Sequence, residues 1–275
     1  MEWDDDFLAP ELENVEERHD PKVEEAKIVI KRFFEEQQRA VVYLKQLQVR
    51  FEKQFFHWVT GFAVGQLVES GFLKEEMVPF GSAASTRAKF LFRSSHRFRK
   101  RQIQSSTEVI DSYSRPDIGR ACGQQAEILF ALALLKEGFR WCGQNTSVYR
   151  EKRWVETNHD LDFIVERDCV TYGCEVKNRL EYIGKDELEV KLKMCGHLGI
   201  RPMFIMRGSP KNYNQMIIEQ GGYAWIFETQ IYPPGHERLV EQMRDRLGLP
   251  ALCSREIPRG MIERFLKWHR SVSGV

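Results

Sequence analysis

The run at residues 159–177, His-Asp-Leu-Asp-Phe-Ile-Val-Glu-Arg-Asp-Cys-Val-Thr-Tyr-Gly-Cys-Glu-Val-Lys, restricts the fold more than any other part of the 275-residue chain. Leu161, Phe163 and Val165 alternate with Asp160, Asp162 and Ile164, and Val170, Tyr172, Cys174 and Val176 then alternate with Thr171, Gly173, Glu175 and Lys177. A period of two marks a strand covered on one face, because successive side chains leave a strand on opposite sides. Two such runs in succession predict a hairpin. With a tight turn at Asp168-Cys169, antiparallel pairing sets Asp162 opposite Glu175 and Asp160 opposite Lys177, with paired Cβ atoms roughly 5 Å apart.

Two carboxylates at that separation repel and raise each other's pKa unless a cation lies between them. A divalent ion supplies that cation, and Mg²⁺ prefers carboxylate and carbonyl oxygens with retained waters, which suits a phosphate substrate. Lys177 lies two residues past Glu175 and leaves the strand on the same side. Its ammonium can therefore hold a water or a phosphoryl oxygen in line for attack. The alternative is a solvated hairpin whose charges pair across the strands, Asp160 with Lys177.

These residues resemble the PD-(D/E)XK nucleases, a superfamily that includes many restriction endonucleases and archaeal Holliday junction resolvases. The likeness rests on Asp162, then Glu175-Val176-Lys177, with Glu127 on the preceding helix as a further acidic member. It covers residues 115–230, read in the order helix, strand, strand, strand, helix, strand. No proline precedes the aspartate; His159-Asp160-Leu161 stands there, and Asp160 and Asp162 both remain open as the main ligand. The resemblance implies an α/β fold with a restriction-endonuclease-like core, a mixed central sheet flanked by helices. It implies a DNA endonuclease in which Asp162, Glu175 and the carbonyl of Val176 bind Mg²⁺, or Mn²⁺ in its place, while Lys177 orients or helps to deprotonate the attacking water. Attack would leave a 5′-phosphate and a 3′-hydroxyl. It further implies a polar contact from the helix at residues 185–198, with Lys191 the first candidate and Glu187 the second. A structure-specific resolvase, an exonuclease, or a DNA-binding protein whose nuclease-like core is inactive are the other readings.

Read from its own surroundings, Glu127 stands at the edge of the apolar run of a helix at residues 118–137. A buried carboxylate needs a partner, so it either joins the metal pocket or holds its waters, or else pairs with a nearby arginine or caps polar backbone.

The net charge of +1 hides an uneven distribution. Acidic residues dominate 1–25, whereas residues 87–101 hold seven Lys or Arg and no acid. Within that stretch Arg93, Arg97, Arg99, Lys100 and Arg101 are interleaved with Phe98, a pattern suited to tracking the phosphate backbone of DNA, the expected partner. No run of about 18 apolar residues occurs, and the acidic start lacks the basic and apolar regions of a signal peptide, so no membrane association and a cytoplasmic location are expected. The six cysteines form no CxxC pair and no zinc-like spacing, and read as reduced thiols.

Residues 1–20 are expected to form a loosely ordered acidic arm. Residues 21–114 form a helical domain that opens with Asp20 as N-cap and Pro21 at the first helical position. An apolar stripe from Val23 to Trp58, interrupted at Gln37, predicts one long helix that either clasps its own domain or forms a homodimer. A short helix from residue 57 and a strand at residues 89–92 follow. Helix, helix and basic ribbon resemble a winged helix, with a plain helical cap as the alternative. In the core at 115–230, strands are expected at 147–151, in the hairpin, at 202–206 as a buried parallel strand, and at 223–227, with helices at 185–198 and 212–220. Residues 231–275 are expected to form a C-terminal helical extension.

Overall fold

Asp20 caps the first helix as expected: its carboxylate accepts the Lys22 N–H at 2.7 Å, and Pro21 begins helix α1 (Pro21–Glu36). The computed structural model describes residues 20–81 and 86–274, so the acidic arm lies outside them except for this cap. The chain divides into two units, residues 1–115 with 241–249, and residues 116–240 with 250–275. Residues 231–275 contribute to both units and form no separate extension.

In the first unit the long helix expected to reach Trp58 is not formed. α1 stops at Gln37, the break in the apolar stripe, and Val41, Val42 and Tyr43, whose branched and aromatic side chains suit a pleated surface, form strand β1 (Val41–Tyr43). The rest of the stripe is shared between α2 (Leu44–Phe51) and α3 (His57–Glu69). The three helices close around Phe34, Leu47, Phe62 and Leu67. Strand β2 (Leu73–Pro79) went unpredicted because Lys74, Glu75 and Glu76 mask its period. It pairs antiparallel with β3 (Arg87–Arg93), the extended form of the strand expected at 89–92, and the sheet order is β1-β3-β2. Helix α4 (Lys100–Tyr113) follows, so Lys100 and Arg101 lie on a helix and not on a ribbon.

The second unit opens with α5 (Pro116–Lys136), which ends before Gly138 at φ +83°, a left-handed conformation that favours glycine. Its first strand is β4 (Arg140–Thr146). The strand expected at 147–151 is instead a small hairpin, β5 (Val148–Tyr149) with β6 (Lys152–Arg153), because Arg150 turns the chain at φ +52°. The central hairpin, β7 (Leu161–Arg167) and β8 (Val170–Lys177), has the predicted register: Phe163 faces Cys174 and Arg167 faces Val170. Asp168 and Cys169 both have positive φ, 51° and 58°, as a two-residue turn matched to the twist of its strands requires. Helix α6 (Lys185–Leu198) then crosses to β9 (Arg201–Met206), and α7 (Lys211–Glu219) to β10 (Tyr223–Ile226); both strands run parallel to their neighbours. The five-stranded sheet is mixed, in the order β10-β9-β8-β7-β4. Beyond it β11 (Gln230–Tyr232), α8 (Glu237–Leu247), β12 (Ala251–Cys253) and α9 (Arg259–Ser273) complete the chain, with β11 and β12 an unpredicted parallel pair.

Opposite faces of β8 meet different layers. Tyr172, Cys174 and Val176 pack with Phe130 of α5 and Phe265 of α9, while Gly173, Glu175 and Lys177 turn toward α6. α9 is anchored to the hairpin through its buried His269, whose Nδ1 is 2.7 Å from the Tyr172 hydroxyl and whose Nε2 is 3.1 Å from Asp168 at the turn. No helix among the described residues is long and apolar enough to cross a membrane.

Two glycines should respond to alanine in opposite directions. A Cβ at Gly173 would lie 2.8 Å from Leu161 and 2.9 Å from both Cys195 and Ile200, so Gly173→Ala should push α6 off the sheet, cost about 1–3 kcal/mol and lower the melting temperature. At Gly61 in α3 a Cβ would meet nothing within 4 Å, and Gly61→Ala should raise the melting temperature through a gain of about 0.5–1 kcal/mol. Calorimetric melts of the two variants check the opposite signs.

Candidate active site

Glu175 is the centre of the charged face of β8 and is only 1% exposed. Each of its oxygens holds a lysine: Oε1 is 2.8 Å from Lys177 Nζ and Oε2 is 2.7 Å from Lys191 Nζ. Lys177 leaves the same face two residues on. Lys191 reaches down from α6, and Glu187, one helical turn before it, shares its side of the helix. Glu187 Oε1 is 2.7 Å from Lys177 Nζ, and Arg179 closes the outer side at 3.6 Å from Oε2. Lys191 also donates to the carbonyl of Asp160. Lys193, two residues further along α6, is exposed.

Asp162 stands where the β7 ladder ends, and its Oδ2 accepts the Val176 N–H at 2.6 Å. Burial, then Glu175, pushes its carboxyl up to about 7 against the opposing pull of the Val176 N–H and Lys177. Of the two aspartates, Asp162 enters the pocket, while the side chain of Asp160 is exposed and only its carbonyl takes part. The cross-strand pair Asp160–Lys177 is not formed, because Glu175 and Glu187 hold the lysine. Glu127 on α5 is close enough to be raised by burial and then by Glu175, with Lys177 opposing. Burial works against the charge on Lys177, but Glu175 and then Glu187 outweigh it and hold the ammonium above the ordinary lysine value. Burial likewise raises Glu187, yet Lys177, ahead of Arg179 and Lys191, draws it below its ordinary value.

Asn178, directly after the lysine, carries no motif and went unnoticed in the sequence. Its buried amide donates to the carbonyls of Cys122 on α5 at 2.8 Å and Ile231 on β11 at 2.6 Å, and its oxygen accepts the Ile231 N–H at 2.8 Å. Arg207, fully buried, donates to the carbonyls of Arg179 and Leu180 at 3.0 and 2.8 Å. Together they fix the chain as it leaves Lys177.

Among the described residues no three His, Cys, Asp or Glu side chains converge as a ready-made metal cage. The donors at hand are hard oxygens, the carboxylates of Asp162 and Glu175 and the carbonyl of Val176, which fit Mg²⁺ or Mn²⁺ bound with retained water. A carboxylate offers about four lone-pair sites, so a lysine on each Glu175 oxygen leaves room for a further ligand bond.

The basic residues of the first unit are not equivalent. Arg99 is 2.9 Å from Glu76 and lies 4.5 Å over the Phe92 ring, and Arg93 lies over Phe72 at 5.1 Å, so both brace the fold. Arg97, Lys100 and Arg101 are exposed and make no ion pair among the described residues.

Asp162 makes the stability of the fold depend on pH. Its folded pKa lies above the unfolded value, so its favourable contribution is complete below about pH 4 and is lost as pH rises through about 7. Asp162→Asn keeps an acceptor for Val176 without the charge. In chelator-containing buffer the variant should melt increasingly above wild type between pH 5 and 8; a constant difference across that window would contradict the burial of an ionisable Asp162.

Set against models of known protein families, curated proteins and solved structures, the chain matches none, so what the pocket can do follows from its own residues.

Proposed function

We propose that the chain is a metal-dependent DNA endonuclease of the PD-(D/E)XK type. The observation that carries the reading is the meeting of Asp162 and Glu175 from paired strands with Lys177 on the same face, Lys177 bound to Glu175 at 2.8 Å. The succession α5, β4, β7, β8, α6, β9 supports a restriction-endonuclease-like core, because it follows the helix, strand, strand, strand, helix, strand order of that superfamily.

Asp162, Glu175 and the carbonyl of Val176 would hold the ion, with Glu127 reaching the same pocket from α5. Mg²⁺, when bound, supplies a Lewis acid that lowers the pKa of a bound water and offsets charge on the scissile phosphate. Lys177 donates hydrogen bonds and positive charge to the water or a phosphoryl oxygen. Glu187 holds Lys177 at one end of this chain, and Lys191 holds Glu175 at the other.

In the first unit the order α1, β1, α2, α3, β2, β3 with sheet order β1-β3-β2 supports a winged helix. α3, which would be its recognition helix, contains no Lys or Arg. DNA contact is therefore assigned to Arg97, Lys100 and Arg101.

Wild-type protein should nick supercoiled plasmid in Mg²⁺ or Mn²⁺. Lys177→Ala should lower the rate at least about 100-fold, as loss of a charge-stabilising donor does, while retaining DNA in gel shifts. Mg²⁺ should also raise the melting temperature of wild type and not that of Asp162→Asn. No cutting of duplex, single strand or junction by wild type with either metal would overturn the nuclease reading.

A further inference from the structure

The start of α4 borders a groove of about 780 Å³ within the first unit, and no carboxylate lines it. Arg97, Lys100, Arg101 and Arg246 contribute four cations without an ion-pair partner among the described residues. Ser105 takes one guanidinium nitrogen of Arg246 at 3.0 Å and holds that side chain in the groove. In their midst Phe98 is 88% exposed. A single exposed apolar side chain is ordinary; a ring between uncompensated cations, on a backbone held in place by the next residue, is less so. Arg99 supplies that hold through Glu76 and the Phe92 ring, and its carbonyl accepts the Ile103 N–H at 3.0 Å.

A planar ring and surrounding cations match the two needs of an unpaired polynucleotide, a surface for a base and donors for its phosphates. Duplex DNA keeps its bases stacked inside, so covering the ring there would mean unstacking a base step at a cost of a few kcal/mol, which an unpaired strand does not impose. One ring is also too little apolar area to hold a protein on a lipid surface, which takes a whole apolar helix face or two anchoring signals. We propose that this groove binds an unpaired stretch of DNA, stacking one base on Phe98 while Arg97, Lys100, Arg101 and Arg246 contact the flanking phosphates. The choice of DNA rests on the nuclease reading above and narrows its substrate to DNA with single-stranded character, such as a fork, flap or junction arm.

The test is fluorescence anisotropy of the full-length protein in EDTA buffer, with a labelled fifteen-residue oligothymidine and a duplex of equal length as probes. Wild type should bind the single strand more tightly. Phe98→Leu, which keeps an apolar side chain but removes the ring, should weaken single-strand binding about tenfold and Phe98→Trp should restore it, the order expected from one base–aromatic stack. Lys100→Ala should reduce the slope of log affinity against log salt by about 0.7. A 2-aminopurine in the oligonucleotide should be quenched by wild type and not by Phe98→Leu. Equal affinity for both probes with no effect of Phe98→Leu overturns the proposal, as does a Phe98→Leu defect confined to phosphatidylserine vesicles. Plasmid nicking is scored separately: nicking without ring-dependent oligothymidine binding refutes this proposal alone, and ring-dependent binding without nicking refutes the nuclease reading alone.

Discussion

A carboxylate buried between two ammonium groups governs the second unit. Removing an ion from water costs several kcal/mol, and the attraction of a partner repays this only with good geometry. At Glu175 that geometry is met twice, at 2.8 and 2.7 Å, by lysines from two different elements. Much of the local backbone serves this arrangement. Gly173 lets α6 approach closely enough for Lys191 to reach the sheet, and the two-residue turn at Asp168-Cys169 sets the register that brings Asp162 to the Val176 N–H. A buried ion pair is weak evidence of stabilisation, since apolar replacements are often as stable. The cluster is therefore not by itself a measure of how stable the fold is.

How much was legible in the sequence varied with the range of the interactions involved. The central hairpin was readable to the residue because its strands alternate cleanly and its turn is short, both local properties. The long helix misread between Val23 and Trp58 shows the opposite case. An apolar stripe records which residues are buried, but α1, α2 and α3 bury theirs against one another, and spacing alone does not distinguish that from one straight rod. The strand placed at 147–151 failed because Arg150 adopts positive φ, which arginine gives no local sign of doing. Lys191 and Glu187 entered through the resemblance, whereas Asn178 and Arg207 carried no signal at all: their partners are backbone carbonyls tens of residues away, and any sequence supplies those.

The two units distribute positive charge in different ways. In the second, Lys177 and Lys191 are consumed internally by Glu175 and Glu187, so they shape a pocket and contribute little to a surface field. In the first, seven basic residues occur between 87 and 101, but Lys89, Arg93 and Arg99 are engaged by Glu75, the Phe72 ring and Glu76. Sequence counting treats all seven alike. The structure leaves Arg87, Arg97, Lys100 and Arg101 without an ion-pair partner among the described residues, and phosphate contacts scale with uncompensated charges rather than with composition.

Charge balance in the pocket links its odd features. Glu127, Asp162, Glu175 and Glu187 are set against Lys177, Lys191 and Arg179, four carboxylates against three cations, so the fully ionised cluster carries one net negative charge. Burial makes that surplus costly, and its cost falls on the carboxyls without a close cation: Asp162 and Glu127 are raised, while Glu187, in contact with Lys177, is lowered. A divalent ion would turn the cluster to one net positive charge, and a single phosphodiester would then bring it to neutrality. A monovalent ion would leave nothing to attract the phosphate, and a second divalent ion would leave three positive charges against the one phosphate, in a low-dielectric setting where unbalanced charge is expensive. On this count one divalent ion and one phosphodiester would together balance the fully ionised cluster, in keeping with the nuclease proposal.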